Sequence, residues 1–289
     1  MFDHIECFYR PATLREALLL LRKVGKRGRI VVGATDIVTQ AERSTRFLVD
    51  LTRLGLAYVR RNGRGCAIGA TTTMTAIENS PITRALAGGI LAKAASTCGS
   101  IQNRNMATVG GNLANASPAA DTAVVFLALD AAVVAAGLRR KRKIALADFY
   151  SGPHQTVLDG EVLVEVVIPA LPGGGRWGWS FQKLGRTETD ISLVNAAAGL
   201  QADAHGHIKG ARLALGAVAP TPLRARQAES LLLGNTLNED LLTHVGEAVM
   251  REVSPISDSR ASAEYRREMS GVLARRALRE CAAQAGCTL

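Results

Sequence analysis

The stretch Ala107-Thr108-Val109-Gly110-Gly111-Asn112-Leu113-Ala114-Asn115-Ala116-Ser117-Pro118-Ala119-Ala120-Asp121 limits the fold more than any other. Two adjacent glycines follow a threonine, and a run of mostly small or short polar residues leads to Asp121. Glycine accepts positive φ, and a loop without side-chain bulk can bring its N–H groups against a ligand. An apolar helical stretch, 123–129, follows at once. The segment therefore reads as a loop feeding a helix N-terminus, the usual seat of a bound anion. The same residues also fit a tight turn with an Asx-type cap and Pro118 at the first helical position.

A second stretch has the same character. Arg29-Ile30-Val31-Val32-Gly33-Ala34-Thr35-Asp36-Ile37 is a short β-branched strand running into a small-residue turn. It lacks the three-glycine spacing of a dinucleotide-binding Rossmann turn, and the chain holds no glycine-rich loop ending in Lys-Ser/Thr. The informative feature is the pair: two small-residue loops in a chain that otherwise reads as α/β.

These residues resemble the FAD-binding medium subunit of the molybdenum hydroxylases, the group containing xanthine dehydrogenase, carbon monoxide dehydrogenase and quinoline oxidoreductase. In that family the first loop reads approximately Ala-Gly-Gly-Thr-Asp. Here it is Val32-Gly33-Ala34-Thr35-Asp36, with Ala34 replacing one glycine. The second family loop reads Thr-Ile/Val-Gly-Gly-Asn, then small residues, then Ser-Pro-x-x-Asp, and is intact here from Thr108 to Asp121. Gln102-Asn103-Arg104-Asn105 resembles the family's Gln-Ile-Arg-Asn, and residues 258–267 and 275–278 resemble its last helix. The resemblance runs through essentially the whole chain, in order.

What the resemblance implies is specific. The fold is α+β: a two-part FAD-binding domain of the PCMH/vanillyl-alcohol-oxidase-like type, residues 1–54 and 55–172, then a C-terminal domain of the CO dehydrogenase flavoprotein type, 176–289, with a three-stranded antiparallel sheet and helices. Residues Ile30, Val31, Val32, Gly33, Ala34, Thr35, Asp36 and Ile37 form one cofactor loop. Thr108, Val109, Gly110, Gly111 and Asn112 form the other, with Asn115 beyond it. Backbone N–H groups and the Thr108 hydroxyl would hold the FAD pyrophosphate. Asp121 would bond ribityl or ribose hydroxyls, since a carboxylate should not face a phosphate. Leu163 falls where the family packs the flavin or adenine, and Lys183 where a cation lies near the isoalloxazine. Asp190 and Ile191 lie in the loop beside the ring; some relatives carry an aromatic residue where this chain has Ile191. Cys98 stands where xanthine dehydrogenases have a phenylalanine near the adenine.

The implied partners are a molybdopterin-binding large subunit and a small subunit with two [2Fe–2S] clusters, assembled as a dimer of heterotrimers. The implied function is relay of electrons from those clusters through FAD to NAD, oxygen or a quinone. Two other readings stand beside it: a stand-alone FAD-dependent oxidoreductase, and a scaffold subunit that has lost FAD. Ala34 and Cys98 favour the scaffold; the intact 108–121 loop opposes it. An added iron–sulfur cluster, as in the benzoyl-CoA reductase branch, would need a cysteine-rich insertion that this sequence does not show.

Composition narrows the classes. The formal net charge is +10, which suits nucleic acid, an anionic membrane or acidic partners. The charges are dispersed and aromatics make up only 4%, so no stacking platform for nucleic acid is present. No apolar run approaches the length of a membrane span and no secretory signal pattern opens the chain, so the expectation is a cytoplasmic protein, or one exported with a signal-bearing partner. The five cysteines, Cys7, Cys66, Cys98, Cys281 and Cys287, form no Cys-x-x-Cys, and His205 and His207 on a turn lack a third ligand; no metal site is expected.

Periodicity predicts the elements. Thr13 and Glu16 form a capping box ahead of a helix to Val24. Strands are expected at 30–32 and 47–51, a short helix at 37–42, a hairpin over 58–70, and helices at 72–78 and 81–98. Strands follow at 131–136, 144–149 and 162–168, with the basic run 139–143 as a solvated hairpin tip. Beyond an exposed connection at 171–175 come strands at 177–183, 193–202 and 208–218 and helices at 224–233, 239–252 and 261–284. The last helix is expected to bury Tyr265, Met269, Val272 and Leu273.

Overall fold

Residues 4–40 and 43–287 are described by a computed structural model. Its first helix is capped by Thr13 as expected, with the reciprocal glutamate bond shifted one residue earlier, to Ala12. Thr13 Oγ1 accepts the Glu16 N–H at 3.2 Å, and Glu16 Oε2 accepts the Ala12 N–H at 2.8 Å. The N-terminal unit runs β1 (Cys7–Tyr9), α1 (Leu14–Val24), β2 (Gly28–Val31), α2 (Thr35–Gln40) and β3 (Phe47–Asp50). Its three strands are parallel in the order β1-β3-β2, and α1 buries Ala17 and Leu18 beside Val49 and Leu51. Helix α2 begins two residues before the expected start; Ala41 and Glu42, expected to end it, lie outside the described residues.

The next unit contains β4 (Val59–Asn62), β5 (Gly65–Gly69), α3 (Met74–Asn79), α4 (Pro81–Ala85), α5 (Ile90–Ser96), α6 (Ile101–Met106), α7 (Val109–Ala114) and α8 (Asp121–Ala128). After these come β6 (Ala132–Ala136), β7 (Lys141–Ala145), β8 (Tyr150–Gly152), β9 (Gln155–Thr156) and β10 (Val162–Ile168). An antiparallel sheet, β4-β5-β10-β6-β7, carries the helices over a core that includes Ile68, Met74, Leu91 and Phe126. Every residue of α8 is buried, which makes it the central helix of the molecule.

Four expectations fail here for local reasons. The helix expected over 81–98 breaks: Leu86 is extended after α4, and Ala87 (φ 49°), Gly88 (φ 62°) and Gly89 (φ 79°) then adopt left-handed backbone before the chain restarts as α5. The stretch 107–121 is not an open loop: it contains α7. Pro118 does not start a helix, since α8 begins three residues later at Asp121. The strand expected at 144–149 lies instead at Lys141–Ala145, so the basic run belongs mostly to β7. Arg142 is drawn down onto Glu161 by bonds of 2.8 and 2.6 Å.

The C-terminal part forms one antiparallel sheet of β11 (Arg176–Leu184), β12 (Val194–Ala202), β13 (Ile208–Gly216) and a two-residue β14 (Leu223–Arg224), which joins the three expected strands. Helices α9 (Arg226–Leu232), α10 (Glu239–Glu252) and α11 (Ala263–Ala285) cover it. Gly178 lets β11 touch α11: a Cβ there would lie 1.9 Å from Cys281 O. The buried stripe of α11 differs from the expected one. Tyr265 is exposed, Met269 and Val272 are half-buried, and of the four only Leu273 is buried. The stripe instead runs through Arg266, Ser270, Leu273, Ala277 and Cys281. An arginine inside hides this phase from a hydropathy reading. Its two terminal nitrogens donate to Leu193 O at 2.5 Å, Ala217 O at 3.3 Å and Asp258 Oδ1 at 2.9 Å, while Nε is buried without a partner among the described residues.

Partial burial opposes ionisation of Asp258, but the Arg260 amide and guanidinium and the Arg266 guanidinium outweigh it and hold the carboxyl well below the ordinary range. A carboxyl depressed on folding stabilises the native state above its unfolded pKa, near 4, and loses that contribution as pH falls further. Arg266→Met leaves two carbonyls without the guanidinium and removes one of the donors to Asp258, and is expected to cost about 3 kcal/mol in urea unfolding at pH 7. The variant should also show a shallower loss of stability between pH 4 and pH 2 than wild type.

Candidate functional site

The first loop places Ala34 at φ 58°, so the alanine occupies left-handed backbone where the family pattern has glycine. The turn leads into α2, whose first main-chain bond to the preceding turn is Val38 N–H to Ala34 O at 3.0 Å. Before it, the N–H groups of Gly33, Ala34, Thr35, Asp36 and Ile37 donate to no other described group. Five consecutive unpaired N–H groups at a helix start form a ready anion seat. Gly33 fixes where the seat lies: a Cβ on it would sit 1.8 Å from Met106 O, so the loop rests directly on the turn between α6 and α7. Ile30 and Val31 hold that turn from β2, with Val31 O accepting Leu51 N–H at 3.1 Å.

The second loop is built differently. Thr108 caps α7, its Oγ1 accepting Gly111 N–H at 3.3 Å. Val109 N–H goes to Thr72 O at 3.0 Å, Gly110 N–H to Ala70 O at 2.8 Å, and Asn112 N–H to Thr108 O at 2.9 Å. The backbone donors of this loop are therefore occupied by protein. Its glycines divide the work. Gly110 is buried, and a Cβ there would meet Ala70 Cβ and O at 2.7 Å. Gly111 is exposed, and its nearest neighbour would be the Thr108 hydroxyl at 3.1 Å. Asn112 Oδ1 accepts from Thr122, while its Nδ2 has no partner among the described residues. Asn115 Oδ1 accepts from Gln40 Nε2 at 3.1 Å, a direct bond between the end of α2 and the residue that follows α7.

Asp121 is the most connected carboxylate of the region. Oδ1 accepts from Ser192 Oγ at 2.6 Å and from Asn195 Nδ2, and Oδ2 accepts from Lys183 Nζ at 2.7 Å and Thr97 Oγ1 at 3.1 Å. Lys183 also donates to Thr97 O at 2.9 Å, and both charged side chains are more than nine-tenths buried. Lys183 is thus no surface lysine, and Asp121 has its four acceptor positions filled from within. Cys98 lies beside this pair; burial, then the Asp121 charge, push its thiol up to about 12.

Leu163 is buried in the core on β10, next to an irregularity in the pairing with β6. Asp190 is partly exposed 3.5 Å from Arg186, and Ile191 is exposed. The structure therefore gathers the two loops at one place and joins Asp121, Lys183 and Cys98 at another. Thr97, Ser192, Asn195 and Gln40 were missed from sequence. Asn195 carried a signal: an amide near the start of the otherwise mostly apolar run Val194–Ala202, all of it buried, needs a partner.

Comparison with known proteins follows this geometry. Residues 2–171 match the FAD binding domain in molybdopterin dehydrogenase, and residues 179–281 match the CO dehydrogenase flavoprotein C-terminal domain. The chain is 31% identical to the glyceraldehyde dehydrogenase medium chain of Sulfolobus acidocaldarius over 95% of its own length and 98% of the relative's. It is 32% identical to the carbon monoxide dehydrogenase medium chain of Afipia carboxidovorans, covering 96% and 97%. It also superimposes on a chain of the cyanide-inactivated Cu,Mo-CO dehydrogenase crystal structure with a TM-score of 0.92 at 32% identity, covering 99% and 100%. In sequence and in fold, over nearly its full length, the chain belongs to the family of FAD-binding medium subunits of the molybdenum hydroxylases.

Proposed function

We propose that this chain holds FAD between its two small-residue loops and relays electrons from the [2Fe–2S] clusters of a partner small subunit to NAD, oxygen or a quinone. The observation that carries this is the set of five unpaired N–H groups at Gly33–Ile37, held against the second loop by the side-chain-free face of Gly33. FAD exchanges electrons singly or in pairs, and so can join one-electron clusters to a two-electron acceptor. The residues bind and orient. The Gly33–Ile37 amides suit the diphosphate. The Thr108 hydroxyl, which accepts from Gly111, retains its proton to donate, and Asn112 Nδ2 offers a further donor. The filled acceptor positions of Asp121 favour a role in fixing Lys183 and the C-terminal sheet over a bond to ribityl or ribose hydroxyls. Ile191 is exposed and apolar, which suits the flank of a ring. The unpaired amides favour FAD retention over the scaffold reading.

The proposed assembly adds a molybdopterin-binding large subunit and doubles the heterotrimer, in the cytoplasm. Among the described residues, no helix is long and apolar enough to cross a membrane. The segments 1–54, 55–172 and 176–289 are proposed as the two parts of the FAD domain and the C-terminal domain.

The direct test is an absorbance spectrum of the protein, purified with whatever accompanies it, before and after heat precipitation. Flavin released by heat, with molybdenum and iron in accompanying subunits, is the expected result. A protein that neither carries flavin nor takes up added FAD overturns the reading. Gly111→Val is expected to abolish FAD uptake with Tm changed by only about 2–3 °C, because its neighbour is a single hydroxyl. Gly110→Val, meeting backbone, should unfold the chain. Ala34→Gly relieves left-handed strain, partly offset by greater freedom of the unfolded chain; we expect a gain of about 0.5 kcal/mol in urea unfolding with FAD uptake retained. Asp121→Asn leaves the buried Lys183 without its charge partner, and should cost about 3–5 kcal/mol.

A further inference from the structure

We propose that Thr122 is a positioning residue of the dinucleotide site: its buried hydroxyl holds the Asn112 side chain in the one orientation that turns an N–H donor toward the diphosphate. This rests on the FAD reading above. Thr122 is the second residue of α8, and the helix beyond it is apolar, Ala123-Val124-Val125-Phe126-Leu127-Ala128, all of it buried. Thr122 itself is 0% exposed, so a molecule bound in the site cannot reach it. A hydroxyl in such a place is costly unless it is bonded, and a valine of similar volume would fill the position without a polar group. The side chain makes a single hydrogen bond among the described residues. It runs to Asn112 Oδ1 at 2.7 Å, back across ten residues to the second loop. Whatever the hydroxyl does, it does through Asn112.

The direction of that bond follows from counting protons. A carboxamide presents an acceptor on one side and two donors on the other, and the sides exchange when it turns over. A threonine hydroxyl has one proton. With Oδ1 toward Thr122 that proton has its acceptor, and Nδ2 is left without a partner among the described residues. In the turned amide Nδ2 would donate to Thr122 Oγ1, the hydroxyl proton would be stranded inside the protein, and Oδ1 would take the place of Nδ2. The difference matters for an anion. An ionised phosphate only accepts, so an amide N–H suits it and an amide oxygen repels it. The backbone of this loop offers no substitute. The N–H groups of Val109, Gly110, Gly111 and Asn112 are taken by Thr72 O, Ala70 O, Thr108 Oγ1 and Thr108 O. A donor to the phosphates from this stretch has to come from a side chain, and Thr122 decides that Asn112 presents one.

The test is FAD affinity, read by quenching of flavin fluorescence on the full-length chain with its accompanying subunits after flavin removal. Thr122→Val removes the hydroxyl and nearly keeps the volume. Oδ1 then faces a methyl group whenever Nδ2 meets the phosphate, and affinity should fall about tenfold with an unchanged far-UV spectrum. Thr122→Ser keeps the hydroxyl and should bind within about twofold of wild type. Asn112→Ala should lose about twentyfold. Because Thr122 acts only through Asn112, the double variant Asn112→Ala, Thr122→Val should bind as Asn112→Ala does, whereas independent effects would multiply to about two-hundredfold. Asn112→Asp still accepts from Thr122 but puts a negative oxygen where Nδ2 stood. It should bind at least about a hundredfold more weakly, a result that does not depend on how Thr122→Val folds. Wild-type affinity in Thr122→Val or in Asn112→Asp, a loss in Thr122→Ser as large as in Thr122→Val, or multiplied losses in the double variant overturns the inference and leaves the FAD reading intact. No uptake by wild type overturns both.

Discussion

The Asp121 carboxylate is the joint on which the two halves of the molecule turn. It sits on the fully buried helix α8, and three of its four donors, Lys183, Ser192 and Asn195, come from beyond the connection at 171–175. Desolvating a carboxylate and an ammonium together costs several kcal/mol, and is tolerated only where every remaining acceptor position is filled. Here it is: Thr97 on the N-terminal side completes the set. A second ionic junction repeats the device nearby. Arg224, on β14, bonds Glu229 at 2.6 and 2.9 Å and reaches across to Leu127 O at 3.2 Å and Asp130 Oδ1 at 2.5 Å at the end of α8. Polar contacts of this kind specify one docking geometry in a way that the many alanines of the interface cannot.

That fixed geometry decides which backbone groups remain for a ligand. The second loop, richer in glycine, has its donors occupied because Gly110 brings α7 onto Ala70. The first loop, with one glycine of its pair replaced by Ala34, keeps five amides without a partner among the described residues, because a short helix starts there and no described group caps it. Glycine in these loops therefore does two different things. At Gly33 and Gly110 it permits a close approach between backbones; at Gly111 it leaves the surface bare. The proposed anion seat belongs to the helix start, and the glycines set its position.

The sequence made much of this legible, and the parts it missed share a cause. The α1 capping box, the 162–168 strand and the pair of loops were readable because each is a local pattern. The break at Gly88-Gly89 was missed because Leu86, Ile90, Leu91 and Ala94 fit one helical face whether or not the helix is continuous. The phase of α11 was misread because its buried stripe opens with Arg266, and an arginine is buried only when remote carbonyls satisfy it. The partners of Asp121 lie 62 to 74 residues away along the chain, apart from Thr97, and no local pattern announces them. Which residues carry the family motif could be read; which of their atoms stay available could not, because that depends on hydrogen bonds closed by distant segments.

The same reasoning separates what this chain can do from what it must leave to others. Its thiols are poor nucleophiles where burial governs them: Cys66 is pushed up to about 11 and Cys98 to about 12. Among the described residues, no group of three or more His, Cys, Asp or Glu could hold a metal ion. Its best-buried charges, Asp121 with Lys183, Arg224 with Glu229 and Arg266 with Asp258, are each held in an ion pair within the fold and so have little freedom to move a proton. The groups left over are backbone amides at a helix start, one hydroxyl, one side-chain amide and an exposed isoleucine. Those can hold a phosphorylated cofactor and shape its surroundings. Relatives with the same architecture carry names as different as glyceraldehyde dehydrogenase and carbon monoxide dehydrogenase medium chain, and the relay proposed above fits that variety, because in it the organic substrate is met by another subunit.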